Sequence, residues 1–276
     1  MRDLKRFEQI LEQIKDIEIQ GATNIAEAGI RAFLINPNAE SAKKILSTRP
    51  TEPFLQNSIH LLLKSKNPKK TSKKILDYIK KSNKKIARHG SMIIKNDMNI
   101  FTHCHSSTVM DILKLAKKKH KQFVVYNTEV QPLLQGRKTA TELAKLGIKV
   151  IHLPDTAAED ALKKCDLFLF GADAYLKNKI VNKAGTNMLC EIAKLHNIPC
   201  YSAGISLKYT KKIKMEMRSG KELWDERNKN IIVINPAFSS LNAKHLTGII
   251  SEFGITNYKK FIKLSMQNLK TFENSK

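Results

Sequence analysis

Apolar positions recur at three- and four-residue spacing through the first third of the chain, at Leu4, Phe7, Leu11 and Ile14 and again at Ile75, Ile79 and Ile86. That period lays one apolar stripe on each of a series of amphipathic helices. The Asn-Pro-Asn run at 36–38 and Pro50 interrupt the pattern as helix boundaries do. From Met98 onward the pattern changes. Short apolar runs at 98–101, 123–126, 148–151, 167–170, 199–202 and 231–234 alternate with helical stretches. Apolar runs of that length, separated by helices, predict buried parallel strands joined by right-handed crossovers. A last helix over 258–272 sets Phe261, Ile262, Leu264 and Leu269 on or near one face. The expected fold class is α/β, with an amino-terminal helical domain (1–90) followed by a Rossmann-like domain with a mostly parallel sheet (91–276). Asn235, Pro236, Ala237 and Phe238 read as structural, the proline ending the sixth strand and Phe238 packing under the sheet.

Composition adds three constraints. The 276 residues suffice for a sizeable core, and the four cysteines (Cys104, Cys165, Cys190, Cys200) have neither CxxC spacing nor any regular interval. A disulfide framework and a structural zinc site are therefore not expected, and a reducing cytoplasm fits. No apolar run approaches the roughly 18 residues of a membrane span, so no membrane association is expected. Forty-nine basic against 25 acidic residues give a formal charge of +24, which attracts nucleic acid, phosphate groups or anionic metabolites. Eleven of the basic residues lie between Lys64 and Arg88, opposed there only by Asp77. With no aromatic platform among them, they read as the solvated face of a lysine-rich helix rather than an RNA surface.

The candidate chemistry sits at strand ends. Thr102-His103-Cys104 and Gly171-Ala172-Asp173 each follow a predicted buried strand, which puts a thiol and a carboxylate at the carboxyl edge of the sheet, where ligands bind in open α/β folds. Such a pair suits acid–base work on a small substrate: a cysteine of lowered pKa takes one proton and the carboxylate carries another. His103 and His105 flank Cys104, but consecutive side chains leaving a strand point to opposite sides, so no metal site is expected there. Neither is a cofactor. Ser106, Ser107 and Thr108 open the next helix with hydroxyls and unpaired amides suited to phosphate. Arg137, after Gly136, offers a guanidinium fork at another helix start. Asn182 and Lys183, before Ala184-Gly185-Thr186, do the same at a third. Lys208 follows a strand end within reach of the same crevice, and Gln20, Gly21, Ala22 and Thr23 form a break between two helices. The combination points to a ligand with more than one phosphate.

The ordered series Thr102-His103-Cys104, the segment 128–137 (TEVQPLLQGR), Gly171–Leu176 (GADAYL), 181–187 (VNKAGTN) and Asn235–Phe238 (NPAF) resembles the alpha/beta/delta subunit family of translation initiation factor 2B. That family also contains ribose 1,5-bisphosphate and methylthioribose 1-phosphate isomerases. The resemblance implies a Rossmann-like domain that dimerises, often into a hexamer. It implies that Cys104 and Asp173 interconvert a ribose 1-phosphate and a ribulose 1-phosphate, Cys104 taking the proton from C2 and Asp173 assisting ring opening. It adds Arg49 to the phosphate-holding set of Gly21, Ala22, Ser106 to Thr108, Arg137, Asn182, Lys183 and Lys208. The chain departs from the isomerases at Gln20, where an arginine is expected, and at Gly204-Ile205, where a glutamate-containing segment normally precedes the lysine. Two readings follow. One is a cytoplasmic, homodimeric or homohexameric isomerase acting on a phosphorylated pentose such as ribose 1,5-bisphosphate. The other is a non-catalytic subunit that binds a sugar phosphate or nucleoside monophosphate together with a translation-factor partner.

Overall fold

The computed structural model describes residues 2–274. Five helices open the chain: α1 (Arg2–Lys15), α2 (Ala22–Ile35), α3 (Ala39–Thr48), α4 (Pro53–Leu63) and α5 (Pro68–Ile93). Asn38 caps α3 by accepting from the Ser41 amide, and Pro53 and Pro68 open α4 and α5 where a missing N–H costs nothing. The apolar stripe behaves as its spacing predicts: Phe7, Leu11, Ile14, Ile75, Ile79 and Ile86 are buried, while the lysines of α5 face solvent.

Parallel strands follow: β1 (Met98–Thr102), β2 (Phe123–Thr128), β3 (Lys149–Leu153) and β4 (Leu167–Phe170), linked through α6 (Ser107–Lys118), α7 (Gln135–Lys145) and the short α8 (Ala158–Leu162). A small antiparallel sheet interrupts the alternation with β5 (Ala174–Tyr175) and β6 (Lys179–Lys183). The main sheet resumes after α9 (Thr186–Leu195) with β7 (Cys200–Ala203). Beyond it come β8 (Met217–Arg218), β9 (Asn235–Pro236), β10 (Phe238–Asn242), β11 (Gly248–Ser251), β12 (Gly254–Thr256) and α10 (Tyr258–Asn274). The seven-stranded order is β12-β11-β7-β4-β1-β2-β3, parallel apart from β12, while β10-β6-β5 and β8-β9 form the two minor sheets.

Alternation along the central strands builds two cores. Ile100, Leu167, Leu169 and Ile250 join Phe33, Ile59 and Ile75 of the helical segment on one face. Phe101, Phe168, Phe170 and Ile249 join Leu189 and Phe261 on the other. The boundary expected near residue 90 falls inside α5, whose packing on α6, β11 and β12 binds the helical segment to the sheet.

One predicted strand is corrected. Residues 231–234 are an open stretch in which Ile231, Ile232 and Ile234 are exposed, and the sixth strand of the main sheet is β11. With it goes the structural reading of Phe238. Rather than packing under the main sheet, Phe238 begins β10, pairs with Lys183, and lines the cavity described next.

Candidate active site

The chain leaves β1 toward β2 and β3 on one side and returns through β4, β7 and β11 on the other, so the topological switch lies between the adjacent strands β1 and β4. Crevices outside the carboxyl ends of such a pair are the binding sites of open α/β sheets. Cys104 and Asp173 leave those two strands and line the same two adjoining cavities, of about 100 and about 50 Å³. Larger surface grooves run along α10 and between α5 and α6, but neither contains Cys104 or Asp173.

Cys104 has a left-handed backbone, φ 66°, a conformation that costs a non-glycine residue energy and persists only where its surroundings hold it. The Thr139 hydroxyl donates to the Cys104 carbonyl at 3.0 Å, and His105 Nδ1 lies 3.0 Å from that same hydroxyl oxygen. Burial pushes the Cys104 thiol up to about 11, against the lowering influence of the Lys183 ammonium and the His105 backbone N–H. The direction is the opposite of the lowered pKa expected from sequence, and it favours the protonated thiol at neutral pH. Burial also raises Asp173, opposed by Lys208, Arg49 and Lys183.

The smaller cavity gathers Gly21, Ala22 and Thr23 at the start of α2, Ser106 to Thr108 at the start of α6, and Asn182 and Lys208. Two helix amino termini therefore converge on one space, each offering free amides and the positive end of its dipole. Gly171 lets the start of α6 lie close against the end of β4, since a Cβ there would lie 2.5 Å from Ser106 Oγ. Lys208 is 5% exposed, contrary to a surface lysine, and its Nζ donates to the Ala172 carbonyl at 2.5 Å. His103 also lines this cavity; burial lowers its pKa, and its Nε2 lies 3.0 Å from the Ala184 carbonyl oxygen.

The larger cavity holds Gln20, Arg49 and Lys183 together with residues that sequence reasoning did not single out: Glu52, Glu216, Arg218 and Gln135. Arg49 lies 3.4 Å from both Glu52 Oε1 and Glu216 Oε2, and Arg218 bonds Glu216 and Glu222. Glu52 is 2% exposed; burial, then the neighbouring Asp173, lifts its carboxyl to about 8. The one hint in sequence was their closeness to basic residues, at Arg49 and within 216–222.

Arg137 stands apart from the remaining candidates. Its helix start is where the sequence put it, yet the guanidinium is 58% exposed, bonds Glu129, and lines neither cavity.

A thiol and a carboxylate thus share a doubly lobed pocket at the switch point of a Rossmann-like sheet, with two helix amino termini on one side and a cluster of ion pairs on the other. The model of the initiation factor 2 subunit family matches residues 4–258, and the chain belongs to that family. It is 30% identical over 285 residues to the ribose 1,5-bisphosphate isomerase of Methanocaldococcus jannaschii, covering 92% of each chain. It is 33% identical over 297 residues to the methylthioribose-1-phosphate isomerase of Caldicellulosiruptor saccharolyticus, covering 90% of this chain and 87% of that one. Among solved structures, the Pyrococcus horikoshii translation initiation factor eIF-2B superposes with a TM-score of 0.85 at 27% identity, covering 93% of this chain and 98% of that one.

Proposed function

We propose that the chain is an aldose–ketose isomerase that converts a ribose 1-phosphate-type sugar to its ribulose 1-phosphate counterpart. Ribose 1,5-bisphosphate and methylthioribose 1-phosphate, named for the relatives, share that reacting unit. The observation that carries the reading is the placement of Cys104 and Asp173 on neighbouring strand ends beside the double helix-terminus cradle. The phosphate would lie against Gly21, Ala22, Ser106 to Thr108, Asn182 and Lys208, leaving C1 and C2 between thiol and carboxyl.

In the proposed reaction the Cys104 thiolate takes the proton from C2 as the bond between C1 and the ring oxygen breaks. Asp173, protonated, gives its proton to the departing ring oxygen, and an enol across C1 and C2 results. Asp173 then takes the proton of the C2 hydroxyl, and Cys104 returns its own to C1. Protons and electrons balance without a cofactor. The raised pKa of Asp173 supports its role as the first acid. Burial makes the thiolate the minor form, and Lys183 with the His105 amide are the groups that favour it.

The structural likeness to an initiation factor supports a second reading, a subunit that binds the same class of ligand without turning it over. Incubating the purified chain with ribose 1-phosphate and ribose 1,5-bisphosphate and following the ketose product separates the two. Turnover of either supports the isomerase, and binding without turnover supports the second reading.

A further inference from the structure

Ten of the chain's 24 net positive charges lie between Lys64 and Arg88, where 11 basic residues face Asp77 alone. Folding gathers them on one side of α5. At about 3.6 residues per turn, Lys70, Lys74, Lys81, Lys84 and Arg88 share a narrow sector of the helix, opposite the buried Ile75, Ile79 and Ile86. At a rise of about 1.5 Å per residue that line of cations is about 27 Å long. Every exposed side chain from Lys70 to Arg88 is charged, and Asp77 is the one acid among them.

Lysines on other elements find carboxylate partners, as Lys44 does with Glu8, Lys64 with Glu273 and Lys163 with Glu159. Among the described residues, no carboxylate stands within ion-pair distance of an α5 cation. Like charges four positions apart repel, as Lys70 does Lys74 and Lys84 does Arg88. The helix thus keeps an uncompensated stripe that an extended polyanion would neutralise.

The same face narrows the kind of partner. A protein interface draws its affinity from large apolar or aromatic anchors, and every exposed side chain here is charged. A membrane-surface helix inserts its apolar face, whereas that of α5 is packed against α6 and β11. A second copy presenting the same stripe would repel this one. Unpaired bases call for an aromatic platform, whose lack is what made the stripe read as solvation in the sequence. A duplex makes no such demand, since cations along its phosphate backbone suffice.

We propose that the outer face of α5 binds the phosphate backbone of double-stranded nucleic acid without reading its sequence, with Lys70, Lys74, Lys81, Lys84 and Arg88 as the contact line. None of these residues lines either active-site cavity, so the proposal stands independently of the isomerase reading.

The test is fluorescence anisotropy of the full chain with labelled RNA and DNA duplexes of about 20 base pairs. The wild type should bind at least one of them, and affinity should fall at least about a hundredfold between about 50 and about 200 mM KCl, as contact with about five phosphates requires. The combined variant Lys70→Gln, Lys74→Gln, Lys81→Gln and Lys84→Gln keeps helix-forming side chains. It should bind at least about thirtyfold more weakly at about 100 mM KCl, with a salt slope shallower by about three. Lys259→Gln, Lys260→Gln, Lys263→Gln and Lys270→Gln together remove the same charge from exposed positions on α10 and should change affinity less than about threefold. Lysine acetylation of the wild type, mapped by mass spectrometry with and without duplex, decides if the α5 variant does not fold: Lys70, Lys74, Lys81 and Lys84 should be protected, and Lys259 and Lys263 not. Binding of neither duplex at the lower salt, an equal loss in the α10 variant, or protection no greater on α5 than on α10 overturns the proposal.

Discussion

Lys208 Nζ donates to the carbonyl oxygen of Ala172 at 2.5 Å, which fastens the turn after β7 to the residue preceding Asp173. The ammonium is thereby fixed at the end of β4, where it opposes the upward shift of the Asp173 carboxyl. Burial in turn lowers the pKa of Lys208, and Asp173 and Glu52 counter that, so the three groups set one another's charge.

Replacing Lys208 with methionine keeps the length of the side chain and removes the charge-assisted donor. Sugar-phosphate affinity should fall by about 2 kcal/mol, roughly thirtyfold in Kd. Titration calorimetry with ribose 1-phosphate measures it, and an unchanged Kd would show that the phosphate does not lie against Lys208.

The turn that carries Lys208 is itself anchored. Glu252 accepts from the Ser206 amide at 3.0 Å, from the Ser206 hydroxyl, and from the Tyr78 hydroxyl at 2.6 Å, joining α5, β11 and the turn. Glu252→Ala strands those buried donors and should destabilise the fold by on the order of 3 kcal/mol. Urea unfolding reads this out, and Glu252→Gln should restore part of the loss.

Glu52 makes stability depend on pH. Its carboxyl rises from about 4.5 to about 8 on folding, so the folded chain binds more protons between those values. Stability from this group is complete below about 4.5 and is lost as pH rises toward 8. The melting temperature should fall across that window in the wild type and fall less in Glu52→Gln. Identical profiles would show that Glu52 does not hold its proton in the folded chain.

The elevated pKa of Cys104 makes a chemical prediction. A thiol at about 11 rather than 9 has about a hundredth of the thiolate at neutral pH. Iodoacetamide should modify Cys104 correspondingly slowly at pH 7.5, about tenfold faster per pH unit thereafter, and more slowly with ribose 1-phosphate bound. Peptide mass spectrometry follows the site, and rapid labelling at neutral pH would place the thiolate in the resting state.

Much of this architecture was legible because β1, β2, β4 and β7 are short apolar runs between helices, and both Cys104 and Asp173 follow such runs directly. The run at 231–234 misled for the same reason: four apolar residues resemble a strand, but nothing pairs with them. The Gly-Ile-Ile-Ser strand β11 was missed because two isoleucines are too little pattern to stand out. Glu52 and Glu216 were invisible for a different reason. They lie 164 positions apart in sequence and acquire meaning only where Arg49 stands between them. Arg137 shows the converse, a well-placed motif residue whose side chain turns to Glu129.

The central claim is that Cys104 moves the proton between C2 and C1. The most direct measurement is turnover of ribose 1-phosphate by Cys104→Ser in heavy water, with deuterium at C1 of the product read by NMR and binding checked by calorimetry. The account predicts that turnover falls by at least about a thousandfold while affinity changes little, because a base acts in the transition state and contributes little to ground-state binding. Wild-type turnover in Cys104→Ser, with the same deuterium content at C1, would contradict it.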